Sequence, residues 1–170
     1  LVFRQTSSKR VKRPMTTHIS HKSPLTLSID VGGTGVKMMI LDADATPITE
    51  YITEPTPKPG TVDAMRELFQ KMFDNLTYHF DRISVGFPGV IIGGVCKTAV
   101  NLDSSWLDVN VAALIHDLTN KPVRAANDAD IQGYGDIKGK GLELVITLGT
   151  GFGSALFLYG TLMPNLEFGH

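Results

Sequence analysis

The fold of this chain is decided by the stretch Leu25-Thr-Leu-Ser-Ile-Asp30-Val-Gly-Gly-Thr-Gly35-Val-Lys-Met-Met-Ile-Leu41. A β-rich run opens the stretch, an apolar run closes it, and a turn with three glycines lies between them. This order predicts two antiparallel strands joined by a tight glycine turn. A dinucleotide-binding fingerprint and a Walker A loop both need a helix after the glycines, so both are excluded. What remains is a hairpin whose successive backbone N–H groups can hold a phosphate.

The same arrangement returns towards the end of the chain. Residues 142–148 predict a strand, Gly149-Thr-Gly-Phe-Gly153 a second glycine turn, and residues 154–159 another strand. Either turn alone is also compatible with an ordinary glycine-rich hairpin, but two copies indicate two related domains. Because residues 142–159 are apolar with little alternation, we expect this sheet to be covered on both faces in the full-length parent. The cover would come from residues after His170, so we expect the apolar hairpin to be exposed in this chain.

The segments between the two turns alternate between strand and helix patterns. A third strand is predicted at Ile48–Glu54, and Pro55, Pro57 and Pro59 follow it. The remaining elements are a helix at 61–76, a strand at 82–87, a hairpin at 90–100, a helix at 109–118, a strand at 122–126 and a short helix at 128–138. We therefore predict an α/β fold, with a first domain at 25–138 and the start of a second, incomplete one at 139–170.

Charge and composition exclude several classes of protein. The 170 residues contain 16 Lys and Arg and 17 Asp and Glu, a net charge of −1, so neither a basic nucleic-acid binder nor an acidic tail is expected. Residues 1–24 lack hydrophobic periodicity and predict a disordered basic head. That head fits sequence upstream of a start at Met15, a solvated tail, or an organelle-targeting peptide.

Cysteine content and the lengths of the apolar runs indicate the cellular compartment in which the protein is expected. The single cysteine, Cys96, excludes an intramolecular disulfide and a multi-cysteine zinc site, and it favours a reducing compartment, so we expect a cytoplasmic protein without zinc. No apolar run approaches the roughly 18–20 residues that span a bilayer, so no membrane association is expected.

Two carboxylates lie where strands are predicted to end. Asp30 ends the first strand beside the glycine turn, where it suits Mg²⁺ held through water next to bound phosphates, although a turn cap is the simpler alternative. Asp128 follows a strand and opens a helix after Asn127, where an N-cap pair is the alternative to a catalytic role.

Four motifs in order resemble those of the ROK family of sugar kinases, which has an actin-like, ribonuclease H-like fold. They are Asp30-Val-Gly-Gly-Thr-Gly-Val-Lys37, Asn127-Asp-Ala129, Leu148-Gly-Thr-Gly-Phe-Gly153 and Glu167-Phe-Gly-His170. Gly35, where many ATP-using members have Lys, and Gly86-Phe-Pro-Gly-Val90 are most similar to the polyphosphate glucokinase branch. The likeness extends over about residues 25–170.

The resemblance implies a role for each motif. Asp128 is expected to be the catalytic base that accepts the proton of the sugar 6-hydroxyl, and Asp30 to hold Mg²⁺ through water. The expected phosphate-binding residues are Gly32, Gly33, Thr34, Gly35, Lys37, Gly149, Thr150, Gly151 and Gly153. The expected sugar-binding residues are Gly86, Pro88, Gly89, Asn101, Asn127, Asp128, Glu167 and His170.

The resemblance also implies an activity, which is transfer of a terminal phosphoryl group from polyphosphate or ATP to the 6-hydroxyl of glucose. The alternatives are a strictly ATP-dependent hexokinase for another sugar, a sugar-sensing regulator, and a non-catalytic sugar-binding fragment. The regulators carry an N-terminal helix-turn-helix domain, for which the head is too short. We expect the full-length parent to be a homodimer and this 170-residue chain alone to be inactive.

Overall fold

A computed structural model describes residues 22–99, 101–148 and 152–163 of the chain. Its first sheet begins with β1 (Thr26–Val31), β2 (Gly35–Leu41) and β3 (Ile52–Pro55), which pair antiparallel as predicted. The predicted start of the third strand at Ile48 is wrong. Although the Ile48 N–H donates to the Ile40 carbonyl, the Ile40 N–H donates to the hydroxyl of Thr49, so a side chain interrupts the ladder there.

The rest of the first sheet is parallel, and helices connect its strands. The chain continues through α1 (Val62–Asp74), β4 (Arg82–Phe87), a small hairpin of β5 (Ile91–Ile92) and β6 (Val95–Cys96), a 3₁₀ turn (Ser104–Trp106), α2 (Val111–Thr119) and β7 (Val123–Asn127). The strand order is β3-β2-β1-β4-β7, with β4 parallel to β1 and β7 parallel to β4. This confirms the prediction of an antiparallel meander followed by strands that alternate with helices.

The core of this part lies between the sheet and the two helices. The α1 helix begins at Thr61, whose hydroxyl accepts the Ala64 N–H, and its apolar spacing buries Met65, Leu68, Phe69 and Met72. Trp106 is fully buried against Phe87, with ring centroids 4.9 Å apart, and its indole N–H donates to the Gly60 carbonyl at 3.0 Å. Trp106 therefore serves as a packing anchor.

A second sheet packs on the last described helix. The chain forms α3 (Asp128–Asp136), β8 (Leu142–Leu148), β9 (Phe152–Leu158) and β10 (Thr161–Met163), and the three strands are antiparallel in the order β10-β9-β8. Phe157 of β9 is buried against α3, where its ring meets the Tyr134 ring edge-on at 4.9 Å. The repeated strand–turn–strand pattern is therefore present as two separate hairpins in the described residues.

One face of this second sheet is apolar and open among the described residues. Leu142, Leu144, Ile146 and Leu148 alternate along β8 and are exposed, Leu148 to 83%. This confirms, for the described residues, the expectation that an apolar face of the sheet is left open in this chain, because only the face against α3 is covered. No helix in the described ranges combines the length and the hydropathy needed to cross a bilayer.

Candidate active site at the carboxyl ends of the parallel strands

The candidate site lies where the three parallel strands end. Asp30 of β1 is paired with Gly86 of β4, and Gly86 is paired with Ala126 of β7, so the three residues form one row across the sheet. Asp128 follows two residues after Ala126. Ligands of open α/β sheets bind outside the carboxyl ends of the strands. The topology therefore brings both carboxylates singled out from the sequence to the edge where a ligand is expected.

Asp128 is the first residue of α3 and lies against Gly86. A Cβ placed on Gly86 would be 3.5 Å from the Asp128 Cα, which is ordinary contact distance. Asp128 is half-buried, and its Oδ1 accepts the Ala129 N–H at 2.8 Å. The positive end of the helix dipole favours the ionised carboxylate at this position. The environment therefore suits a group that must accept a proton.

Asn127 ties the start of α3 to the loop after β4. Its buried side-chain carbonyl accepts the N–H groups of Ala129 and Asp130, at 2.8 and 3.2 Å, and so caps the helix. Its Nδ2 donates to the Gly89 carbonyl at 3.1 Å. The N-cap interpretation raised from the sequence is thus a structural fact. Through the same amide, Asn127 also fixes the position of Asp128 relative to Gly89.

The segment Gly86–Gly89, which is the end of β4 and the two residues after it, is closely packed. Pro88 is buried, and Gly89 has a φ of 153° with a Cβ position that would collide with the Thr98 carbonyl oxygen. The Thr98 hydroxyl accepts the Val90 N–H at 2.9 Å. Only glycine fits at position 89, so the loop presents bare backbone beside Asn127.

The first glycine turn is packed against Asn101. The Gly32 N–H donates to the Gly35 carbonyl at 2.9 Å and closes the turn. A Cβ on Gly33 would lie 3.1 Å from the Asn101 carbonyl oxygen and 3.3 Å from its Cβ. The structure therefore brings a residue expected to bind phosphate next to an exposed asparagine expected to bind sugar.

Asp30 and Lys37 face each other across β1 and β2. Their charged atoms are 3.7 Å apart, and both side chains are about half exposed, at 47% and 52%. A pair so exposed contributes little to stability, and both groups remain accessible to a ligand. No cluster of three or more His, Cys, Asp and Glu exists in the described part of the chain. One accessible carboxylate fits Mg²⁺, which keeps several waters and takes further oxygen ligands from substrate phosphates.

The second glycine turn is only partly described. Gly149, Thr150, Gly151, Glu167 and His170 lie outside the described residues. Gly153 is described, and a Cβ on it would collide with the Thr147 hydroxyl and lie 2.9 Å from the Ala129 Cβ. The end of the second turn is therefore held against the first turn of α3, close to Asp128 in the chain.

Two titratable groups near the site have shifted pKa values. The Ser105 N–H, which donates to Asp103 at 2.9 Å, lowers the pKa of that carboxyl. Burial raises the pKa of the Cys96 thiol, which donates to the Thr98 carbonyl. Cys96 is therefore a packing residue and not a nucleophile.

Sequence reasoning missed two threonines that hold these loops. Thr98 binds the loop after β4, and Thr56, just after β3, bonds to the first glycine turn. Thr56 bonds to a residue 24 positions earlier, a contact that no local pattern marks, whereas Thr98 bonds to Val90, eight positions earlier. The only signal at Thr56 is its place between Pro55 and Pro57, which indicates a fixed backbone.

The comparison with protein families agrees with this arrangement. Residues 26–166 match the model of the ROK family. The chain belongs to the ROK family. It is 39% identical over 150 residues to a polyphosphate glucokinase of Mycobacterium tuberculosis. The aligned region covers 84% of this chain and 56% of that protein. The chain therefore spans about half the length of this relative.

Solved structures of ROK proteins share the fold. The crystal structure of an inorganic polyphosphate/ATP-glucomannokinase from Arthrobacter sp. strain KM matches with a TM-score of 0.78 and 36% identity, over 85% of this chain and 62% of that one. A ROK family glucokinase from Streptomyces griseus, solved with glucose and AMPPNP, matches with a TM-score of 0.76 and 22% identity, over 86% of this chain and 50% of that one. The chain thus has the α/β, actin-like fold of ROK sugar kinases.

Proposed function

We propose that the protein is a sugar kinase that moves the terminal phosphoryl group of inorganic polyphosphate or ATP to the 6-hydroxyl of glucose. The observation that carries the proposal is the position of Asp128. It opens α3 at the carboxyl end of β7, lies against Gly86, and belongs to the same sheet edge as Asp30. The proposed base and the carboxylate proposed for the donor side thus lie at one edge of the sheet.

Asp128 is the proposed general base. In phosphoryl transfer the base orients the attacking hydroxyl and accepts its proton, while positioning and electrostatics supply most of the rate. The dipole of α3 favours negative charge at this position, and the Asn127 cap fixes the start of the helix. The sugar 6-hydroxyl would donate to this carboxylate, and its oxygen would attack the terminal phosphorus as the proton moves to Asp128. The bond from that phosphorus to the bridging oxygen of the donor would break, and ADP or the polyphosphate shortened by one phosphate would leave.

The donor phosphates would lie over the two glycine turns. The Gly32 N–H closes the turn, and Gly33, Thr34 and Gly35 would offer backbone N–H groups with few side-chain atoms in the way, beside the positive charge of Lys37. Asp30 would hold Mg²⁺ through water, and the ion would neutralise the donor phosphates when bound. In the second turn, the residues proposed to bind the donor phosphates are Gly149, Thr150, Gly151 and Gly153.

The sugar would lie against the loop Gly86–Gly89. Its bare backbone and the exposed Asn101 offer both donors and acceptors, as a polyol requires. The amide of Asn127, together with Glu167 and His170, completes the proposed sugar contacts. Because Gly33 packs on Asn101, the donor turn and the sugar site would be in direct contact.

Polyphosphate and glucose are proposed from the relatives' names and from Gly35. The M. tuberculosis relative is named a polyphosphate glucokinase, and the Arthrobacter protein is named for both donors. The Arthrobacter name also includes mannose in the substrate class, so an ATP-dependent kinase for another sugar is the second candidate. We further propose residues 25–138 as one domain, residues 139–170 as the start of a second, and a homodimer for the whole protein.

The test is an assay of the protein as its gene encodes it. Glucose, mannose and an amino sugar are each supplied with long-chain polyphosphate or with Mg·ATP, and sugar phosphate is measured. We expect glucose 6-phosphate with polyphosphate. Turnover of an amino sugar with ATP alone would favour the second candidate, and sugar binding without any phosphate transfer would reject a kinase.

A further inference from the structure

Thr56 is a buried polar residue that bonds to both sides of the first glycine turn. It follows β3 directly and is only 7% exposed. Its hydroxyl donates to the Gly32 carbonyl at 2.6 Å, and its backbone N–H donates to the Thr34 carbonyl at 3.2 Å. One residue, 24 positions away from Gly32 in the sequence, therefore holds two carbonyls of the turn at once.

Besides Thr56, the turn is held by its own hydrogen bond, by the packing of Gly33 on Asn101 and by the pairing of Gly35 in β2. Within the residues described, its own hydrogen bond joins the Gly32 N–H to the Gly35 carbonyl. Glycine loses more conformational freedom on folding than any other residue, so a turn with three glycines is costly to order. Backbone N–H groups that receive a phosphate are effective only when they are already oriented. Bonds to the turn's carbonyls orient the N–H groups of the same peptide units.

Thr56 also connects the turn to the loop that follows β3. Its methyl group would lie 3.6 Å from a Cβ built on Gly60, so the two residues are neighbours, and the Gly60 carbonyl accepts the indole N–H of the buried Trp106 at 3.0 Å. Thr56 lines a cavity of about 300 Å³ together with Gly33 and Asn101. Thr56 thus lies between Gly60, whose carbonyl binds the buried Trp106, and the turn to which Thr56 is hydrogen-bonded.

We propose that Thr56 is the positioning residue of the phosphate-binding turn. Its hydroxyl and backbone N–H hold residues 32–35 in the conformation that receives the donor phosphates, and it does not itself contact substrate. The proposal rests on the proposed function, because it assumes that this turn binds the phosphoryl donor. It predicts a defect in donor binding that is separate from sugar binding and from stability.

The experiment compares three variants of the full-length protein. Thr56→Val removes the hydroxyl and keeps the shape, and Thr56→Ser keeps the hydroxyl. Thr119→Val is the matched control, because the Thr119 hydroxyl also donates to a backbone carbonyl, that of Ile115 at 2.8 Å, in α2. Donor KM, sugar KM and melting temperature are measured, and binding of tripolyphosphate and of Mg·ATP is measured without sugar.

We expect Thr56→Val to raise the donor KM and the donor dissociation constant about three- to tenfold, which is the effect of one hydrogen bond. The sugar KM should change less than twofold. Thr56→Ser should restore donor binding. Thr119→Val should lower the melting temperature by a similar amount and leave donor binding unchanged.

Two results would overturn the proposal. One is equal donor binding by Thr56→Val and Thr119→Val, and the other is failure of Thr56→Ser to restore binding. A wild-type protein that binds donor but phosphorylates no sugar would reject the kinase assignment, and the binding comparison would still decide the role of Thr56. A wild-type protein that binds neither donor would contradict both.

Discussion

Gly86 lies against Asp128, so that a Cβ on the glycine would be 3.5 Å from the aspartate Cα and 3.8 Å from its Cβ. One methyl group therefore fits in ordinary contact, whereas a branched side chain would push the start of α3 away from β4. A shift of about 1 Å in a reacting group can cost about 10²-fold in rate.

We accordingly expect Gly86→Ala to keep most of its kcat and Gly86→Val to lose at least about tenfold in kcat. Steady-state kinetics of the two variants, with circular dichroism to confirm folding, make the comparison. Equal kcat in both variants would show that the position of Asp128 against β4 does not matter for turnover.

Substitutions of the neighbouring residues Gly32 and Gly33 should have different effects on the KM values for donor and sugar. A Cβ on Gly32 would lie 2.9 Å from the Gly35 carbonyl oxygen, inside the turn, whereas one on Gly33 would press on Asn101. We expect Gly32→Ala to raise the donor KM at least about fivefold with the sugar KM unchanged, and Gly33→Ala to raise both. Kinetics with each substrate varied in turn measure the split. If Gly33→Ala leaves the sugar KM unchanged, Asn101 does not bind sugar.

Gly133 and Gly135 form a matched pair within α3. A Cβ on Gly133 would lie 2.7 Å from the buried Phe157 ring, whereas nothing lies within 4 Å of one on Gly135. We expect Gly133→Ala to lower the free energy of unfolding by about 1–3 kcal/mol through overpacking. Gly135→Ala should raise it by about 0.5–1 kcal/mol, because glycine is a poor helix former. Denaturant unfolding measures both, and effects of the same sign would contradict the contact between α3 and β9.

Much of the fold could be predicted because local chemistry marks its elements. The glycine turn fixed the order of β1 and β2, and the helical spacing of α1 and the Asn127 cap of α3 located those helices within two residues. The start of β3 was misplaced because the Thr49 hydroxyl takes a backbone bond that only the folded structure supplies. The three-residue β10 is too short for any periodic signal.

The candidate residues of the site could be proposed from the sequence, but their arrangement in space could not be predicted. Asp30 and Asp128 stand out in sequence because each lies where a strand is predicted to end, and Gly86 stands out through the resemblance to the ROK family. Their closeness depends on the parallel register, which pairs Asp30 with Gly86 and Gly86 with Ala126. The role of Thr56 could not be predicted, because its bond to Gly32 joins segments that only tertiary packing brings together.

The stability of the connection between α3 and β8 is expected to depend on pH through the carboxylate of Glu143. Its carboxylate accepts the N–H groups of Lys138 and Lys140, at 2.7 and 3.0 Å, and the Lys138 N–H is the main cause that lowers its pKa from the ordinary 4.5. A lowered pKa in the folded state means that the stabilisation is complete above pH 4.5 and is lost as the pH falls below that value.

Glu143→Gln should therefore lower the melting temperature at pH 6.5 and have a smaller effect at pH 3.5. Thermal unfolding of both proteins at the two pH values makes the test. A difference between them that is the same at both pH values would show that the charge of Glu143 does not stabilise this connection.

The measurement that tests the central claim most directly is the turnover of Asp128→Asn in the full-length protein. The change removes the base while keeping shape and most hydrogen bonds, and Asp136→Asn, at the other end of α3, is its matched control. With glucose and either polyphosphate or Mg·ATP, we expect Asp128→Asn to lose at least the ~10² to 10⁴ in kcat typical of general-base removal. Glucose binding should persist, and Asp136→Asn should stay near wild type. A kcat of Asp128→Asn close to that of the control would contradict the assignment of Asp128 as the catalytic base.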